Sequence, residues 1–385
     1  MIRGEPLASL YNRREMRSLH HWRGRLPLTA ALLCLAACIC PARSYGQTET
    51  AQVCNITTAE RVVAVGDVHG AYDSFVAILR AAGLLDSRDR WTGGRAILIQ
   101  TGDVLDRGDD SRRVLDLLRR LERDAPRAGG RVLPLLGNHE LMRVLGDWRY
   151  VSPGELRAFR NADSDQLREL VYGNIVAANR DRAAAEKMPF DEKAFREQFL
   201  KEVPLGFIEM RQAFDVKGEY GPWVRARPTM AIVNGIAYLH GGISDKVAPL
   251  GCAGVNAAVA KELASMPVPP ERIPDLLSAA EHGPLWYRGL AQEPEDAFAP
   301  TLTAILEQIK ARAFVIGHTP VLPGRIVTRF GGRVVQIDGG MLGGEFFPKG
   351  NPVALEIKGT EMTAIYLDRR ERVGGLATGV ATAPR

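Results

Sequence analysis

Cysteine is scarce. Of five in 385 residues, Cys34, Cys38 and Cys40 fall before residue 45, which leaves Cys54 and Cys252. Neither stands in a C-x-x-C or other zinc-type spacing, so a thiolate zinc knot is excluded. Long apolar runs are lacking too: the stretch from Leu26 to Cys40 is 15 residues, short of the roughly 20 that cross a bilayer. With 46% hydrophobic and 25% charged residues, the wholly disordered, collagen-like and polytopic membrane classes drop out. Beyond residue 44 there is no surplus of either charge. The formal +5 resides in residues 1–44, which hold seven Arg and two Glu; the remainder carries 43 basic and 43 acidic side chains. A nucleic-acid partner therefore has no support in whole-chain charge.

What the leader does contain is Arg23-Gly-Arg25, the apolar run, and no further charge until Arg43. This pattern predicts a signal peptide over residues 1–44 and export to the periplasm. Ala42-Arg-Ser44 offers a small-x-small cleavage site that yields a soluble protein. Leu35-Ala-Ala-Cys38 resembles a lipoprotein box, whose alternative product is an outer-membrane lipoprotein anchored through an acylated Cys38. The soluble form is preferred, and Cys38 is the one route to a membrane. An exported chain permits a disulfide between Cys54 and Cys252, tying the N-terminal extension (45–60) to the second half of the domain. Two isolated buried thiols are the competing reading.

Apolar runs at 61–66, 96–100 and 132–136 each end in Gly with Asp, Asn or His, and helical patterns follow at 72–82 and 110–123. Strand, polar loop, helix, repeated, predicts an α/β layered fold. In such sheets ligands gather at the carboxyl ends of strands. From 151 to 222 the texture becomes helical and charge-rich, which predicts an inserted cap. Further strands are expected at 229–239, 313–316, 333–337, 353–357 and 362–367, so the catalytic domain is placed at 61–367. Residues 368–385, rich in Gly, Ala and Arg, read as a flexible tail.

Five of seven histidines lie beyond the leader: His69, His139, His240, His282 and His318. All but His282 stand at strand ends, beside Asp67, Asp103 and Asn138. Carboxylate, imidazole and amide oxygen, without thiolate, are the donors that a pair of divalent cations requires. A lone histidine is usually structural, but four in one pattern point to a binuclear hydrolytic centre.

The motifs GDVHG (66–70), GDVLDRG (102–108), GNHE (137–140), HGG (240–242) and GHTP (317–320) resemble the metallophosphoesterase superfamily. GDxxDRG followed by GNHE is similar to PPP-type phosphoprotein phosphatases, and GPLWYRG (283–289) with the exported context resembles their bacterial Shewanella-like branch. The resemblance spans roughly 60–345 and implies a sandwich of two mixed sheets flanked by helices. It implies Asp67 and His69 on a first metal, Asp103 bridging both, and Asn138, His240 and His318 on the second. It makes His139 the general acid, oriented by Asp106, with Arg107 and, less directly, Arg288 on the phosphate. The metals it implies are two divalent ions, Mn2+ first, with Fe or Zn as alternatives. A water acidified between them attacks phosphorus in line, so no phosphoenzyme forms. No SAPNY-like segment precedes the C-terminus; QIDGG (336–340) occupies that region.

The leading expectation is thus a phosphomonoesterase acting on phosphorylated Ser/Thr or Tyr side chains of proteins or peptides. A nucleotidase or dinucleoside polyphosphate hydrolase shares three of the motifs and is the first alternative. A non-enzymatic metal-containing binding module is the second, disfavoured because every expected ligand type is present.

Overall fold

The computed structural model describes residues 52–375. The predicted leader and the last ten residues lie outside them. Two compact units divide the described chain: residues 160–208, and one that holds everything else. Among the described residues no helix is long and apolar enough to cross a membrane.

The larger unit contains eleven strands among its described residues. One sheet has the order β11-β10-β9-β1-β2-β3 and the other β4-β5-β6-β8-β7. β1 (Val62–Val65), β2 (Ile97–Gln100) and β3 (Arg131–Pro134) run parallel, joined by α1 (Tyr72–Ala81) and α2 (Ser111–Asp124). β4 (Met230–Val233), β5 (Ile236–Leu239), β6 (Ala313–Ile316), β7 (Val327–Arg329) and β8 (Val334–Gln336) form the second sheet. β9 (Ala354–Lys358), β10 (Glu361–Ile365) and β11 (Arg370–Gly375) complete the first. Both sheets are mixed, since β9–β11 and the β4–β5 and β7–β8 pairs are antiparallel.

Side chains alternate faces along a strand, and here both faces are buried. Val62, Ala64, Ile97 and Ile99 meet Ile236, Tyr238, Val315 and Val335 in a core between the sheets. Ala237, Leu239, Phe314 and Ile316 point the other way, into a second core with Val255, Leu302 and Leu306 of the flanking helices. That double burial is why the strands read as unbroken apolar runs. α2 is one-sided instead: Val114, Leu115, Leu117, Leu118 and Leu121 are buried at helical spacing.

Four expectations need correction. The run at 229–239 is not one strand. Asn234 and Gly235 both take positive φ, 50° and 73°, and fold it into the β4–β5 hairpin, the two-residue turn that Asn-Gly favours. The tail does not begin at 368, because Arg370–Gly375 pairs with β10. This edge strand is mostly exposed, so it lacks the apolar signature of a core strand. β7 (Val327–Arg329) was not expected at all, being three half-buried residues. Finally, the separate helical unit is residues 160–208 rather than 151–222. The flanks belong to the main unit: Ser152 donates to the Gly108 carbonyl at 3.1 Å, and the Tyr220 hydroxyl donates to Asp116 at 2.8 Å. Within 160–208, helices Ser164–Glu186 and Glu192–Glu202 pack Tyr172 on Phe199, and Arg196 pairs with Glu169.

The extension pairs Ile56 with Val233. Cys54 and Cys252 are joined in a disulfide, their Cα atoms 5.8 Å apart.

Candidate metal centre

The carboxyl ends of β1, β2, β3, β5 and β6 converge on one buried cluster. The loop after β1 is sewn to the loop after β2: the Val68 and His69 amides both donate to the Asp103 carbonyl at 2.9 Å, and Gly70 N donates to Val104 O. The loop after β2 is pinned to α3 (Asn138–Leu145) by Glu140. Its buried carboxylate accepts from the amides of Asp103, Val104 and Gly137, each at 2.8 Å. Gly102 and Gly137 pack backbone to backbone; a Cβ on Gly102 would lie 2.5 Å from the Gly137 Cα, and Gly102 has φ +93°. His69, Asp103, Asp106, Arg107 and His318 also have φ between 47° and 69°. Each such non-glycine residue costs about 1–3 kcal/mol, so the surrounding hydrogen bonds impose the conformation. These turns carry the side chains inward.

Asp103 is central. Its Oδ1 lies 3.3 Å from His240 Nε2, while its Oδ2 lies 3.6 Å from His69 Nε2 and 3.8 Å from His139 Nε2. Two donor groups thereby share it, His69–Asp103–His139 and Asp103–His240–His318. Asp67 Oδ2 is 3.9 Å from His69 Nε2, and Asp67 Oδ1 accepts from the His318 amide at 3.0 Å.

The donor set tests whether cations fit. His240 Nδ1 lies 3.0 Å from the Thr101 carbonyl, so that nitrogen carries the hydrogen and Nε2 presents a lone pair. Facing it are Asn138 Oδ1 at 2.8 Å, His318 Nδ1 at 3.1 Å and Asp103 Oδ1. The two oxygens accept only, and oxygen acceptors facing a nitrogen lone pair repel it unless a cation lies among them. His69 shares the tautomer, with Nδ1 on the Leu105 carbonyl at 2.9 Å and Nε2 turned toward Asp103, where the Arg107 guanidinium also reaches it. A backbone carbonyl fixing the tautomer is the usual support of a metal-bound histidine. Burial pushes His69 down to about 3 and His318 to about 2, so both rings are neutral, as ligands must be. The residues fit two divalent ions.

His139 differs. Its Nδ1 is bonded to a carboxylate, Asp106 Oδ2, at 2.7 Å. Burial opposes its charge, but Asp103 and Asp106 outweigh burial and hold its pKa above the ordinary imidazole value. Arg107 reaches His69 Nε2 with Nη1, and its guanidinium lies against the rings of Tyr150 and Phe347, 5.6 and 5.5 Å away. Arg288 is anchored beside His318, donating to its carbonyl at 2.8 Å and to Thr319 Oγ1 at 2.9 Å. Shallow clefts of about 400 Å³ and about 630 Å³ open beside Arg107 and Arg288 respectively. His282 is exposed in the latter cleft and takes no place in the cluster.

Sequence reasoning assigned no role to several neighbours. Glu140 was readable, since a Glu at the third helical position is half of a capping box. Asp338 was not. It is buried beside Asp67, its Oδ1 accepting from Gly340 N at 2.9 Å, and burial raises its pKa to about 6. Arg143 and Glu155 were missed because charged residues in a helical stretch read as surface.

A family model described as "Calcineurin-like phosphoesterase" matches residues 60–322. An uncharacterized protein of Schizosaccharomyces pombe is 33% identical over 284 residues, 73% of each chain. Shewanella-like protein phosphatase 2 of Arabidopsis thaliana is 32% identical over 201 residues, covering 52% of this chain and 51% of that protein. Among solved structures, the cold-active protein-tyrosine phosphatase of a psychrophilic Shewanella species superposes with a TM-score of 0.60 at 25% identity, over 84% of each chain.

Proposed function

The chain belongs to the calcineurin-like phosphoesterase family, and on that premise we propose that it removes phosphate from phosphorylated side chains of proteins. The observation that carries this reading is Asp103, whose two oxygens face two separate donor groups. Asp67 and His69 would hold one ion with Asp103; Asn138, His240 and His318 would hold the other. Divalent ions bound there supply an acidified water and offset phosphoryl charge. A donor set of oxygen and imidazole without thiolate suits manganese, with iron or zinc as alternatives.

The chain's own side chains do the rest. Arg107 and Arg288 bind phosphoryl oxygens, the former in the bidentate manner natural to a guanidinium. Water attacks phosphorus in line, the bond to the side-chain oxygen breaks, and His139 Nε2 gives that oxygen a proton. Asp106 keeps the ring aimed from Nδ1. The protein substrate rests on the names of the relatives, protein phosphatases of plant and bacterial origin.

We propose export to the periplasm as well, a reading supported by the pattern of residues 1–44 and by the Cys54–Cys252 disulfide, which suits an oxidising compartment. The test is a panel of phosphotyrosyl and phosphoseryl peptides and nucleotides on manganese-loaded protein lacking residues 1–44. Turnover of nucleotides alone would overturn the reading.

A further inference from the structure

Behind Asp106 lies a third guanidinium, one that the proposed chemistry does not use. Arg143 is fully buried, and its Nη2 donates both to Asp106 Oδ1 at 2.5 Å and to Glu155 Oε1 at 2.9 Å. Its remaining contacts are soft. Nη1 lies 3.2 Å from Met210 Sδ, and the guanidinium is stacked 4.9 Å from Phe214 and 5.3 Å from Trp148. The two oxygens of Asp106 therefore have separate partners: Oδ2 takes His139 Nδ1 and Oδ1 takes Arg143. Arg143 stands four residues after His139 on the same helix, α3, so one rigid element presents both partners.

Two buried carboxylates on one guanidinium are a poor device for stability. Breaking such a pair is costly, but an apolar replacement of the whole set is often neutral or better. What the set does supply is direction. Asp106 has φ +69°, in a loop imposed by neighbouring hydrogen bonds, and its carboxylate is free to rotate about χ2 unless both oxygens are fixed. We propose that Arg143, held by Glu155, is a positioning residue that locks the Asp106 carboxylate so that one oxygen faces His139. Glu155 comes from the helix Pro153–Phe159, which the Ser152 hydroxyl opens by accepting from the Glu155 amide at 3.0 Å. The lock thus joins three segments: the β2 loop, α3 and the stretch after it.

This inference rests on the assignment of His139 as the proton donor, and it predicts an effect confined to substrates that need that proton. The experiment compares Arg143→Lys with the parent protein, both manganese-loaded, on a phosphoseryl peptide and on p-nitrophenyl phosphate. Lysine keeps the charge, but its shorter, flexible stem and compact ammonium do not hold a donor at the place where the planar, stacked guanidinium holds Nη2. The expected result is a fall in kcat of about 10-fold on the peptide, a part of the about 10²–10⁴-fold that general acid catalysis is worth. The fall on p-nitrophenyl phosphate should be less than about twofold, with KM and metal content unchanged. In an Asp106→Asn background the same change should alter the ratio of the two rates little, because the effect passes through Asp106. Equal losses on both substrates, or additive effects with Asp106→Asn, would overturn the proposal. Should Arg143→Lys fail to accumulate, Glu155→Leu frees the guanidinium from its second anchor and should give the same bias, weaker; an unbiased loss there overturns it equally. If the parent hydrolyses neither substrate, the phosphatase reading itself fails.

Discussion

His139 Nδ1 and Asp106 Oδ2 are 2.7 Å apart, so the nitrogen of His139 left to face Asp103 is Nε2, the one that in the proposed chemistry protonates the leaving oxygen. A nitrophenolate departs readily as an anion, whereas a seryl alkoxide does not. His139→Asn is therefore expected to retain both metals and to lose far more rate on phosphoserine peptide than on p-nitrophenyl phosphate, by about 10²-fold or more. Loss of metal from the variant, read by elemental analysis, would make His139 a ligand instead.

Asp103 is the carboxylate whose loss should touch both ions, since its oxygens face different donor groups. Asp103→Asn is expected to bind fewer than two metals per chain and to lose nearly all activity, while His318→Asn gives up one. Two tightly held ions in the Asp103 variant would sink the bridging role.

Gly102 is expected to tolerate nothing larger. Its φ of +93° and the 2.5 Å approach to Gly137 leave no room for a methyl group against backbone. Gly102→Ala should lower stability by about 2 kcal/mol or more and weaken metal binding, both visible in thermal melts with and without manganese. An unchanged melt would show that the two loops can separate without cost.

The Cys54–Cys252 bond closes a separation of 198 residues and ties the extension to the second sheet. Cys54→Ser should lower stability by about 2–4 kcal/mol, and reductant should affect the parent protein but not the variant. A parent indifferent to reductant would mean that the bond contributes nothing to the folded state.

The protein recovered from its native envelope should begin near Tyr45, or at a lipid-modified Cys38. Intact residues 1–44 on cytosolic protein, seen by mass spectrometry, would contradict export. Cys38→Ser should release the protein only if Cys38 is its anchor.

The candidate centre was legible in the sequence because the residues that build it are local. Asp67, Asp103, Asn138, His240 and His318 each stand just past an apolar run, and a strand that ends in Gly with a polar residue announces its own position. The fold class followed for the same reason: strands buried on both faces read as continuous apolar segments, and helices between them at a period near 3.6. What tertiary structure alone decided is pairing. Nothing local tells Arg143 that its partners are Asp106, 37 residues before it, and Glu155, 12 after; the same residues on an exposed helix would be solvated. Asp338 beside Asp67, Arg288 on the His318 carbonyl and the β11 edge likewise depend on which segments the sheets bring side by side. Local pattern encodes whether a residue is buried in an element, whereas a buried charge takes its meaning from the partner that offsets it, and that partner is fixed only when the chain closes around it.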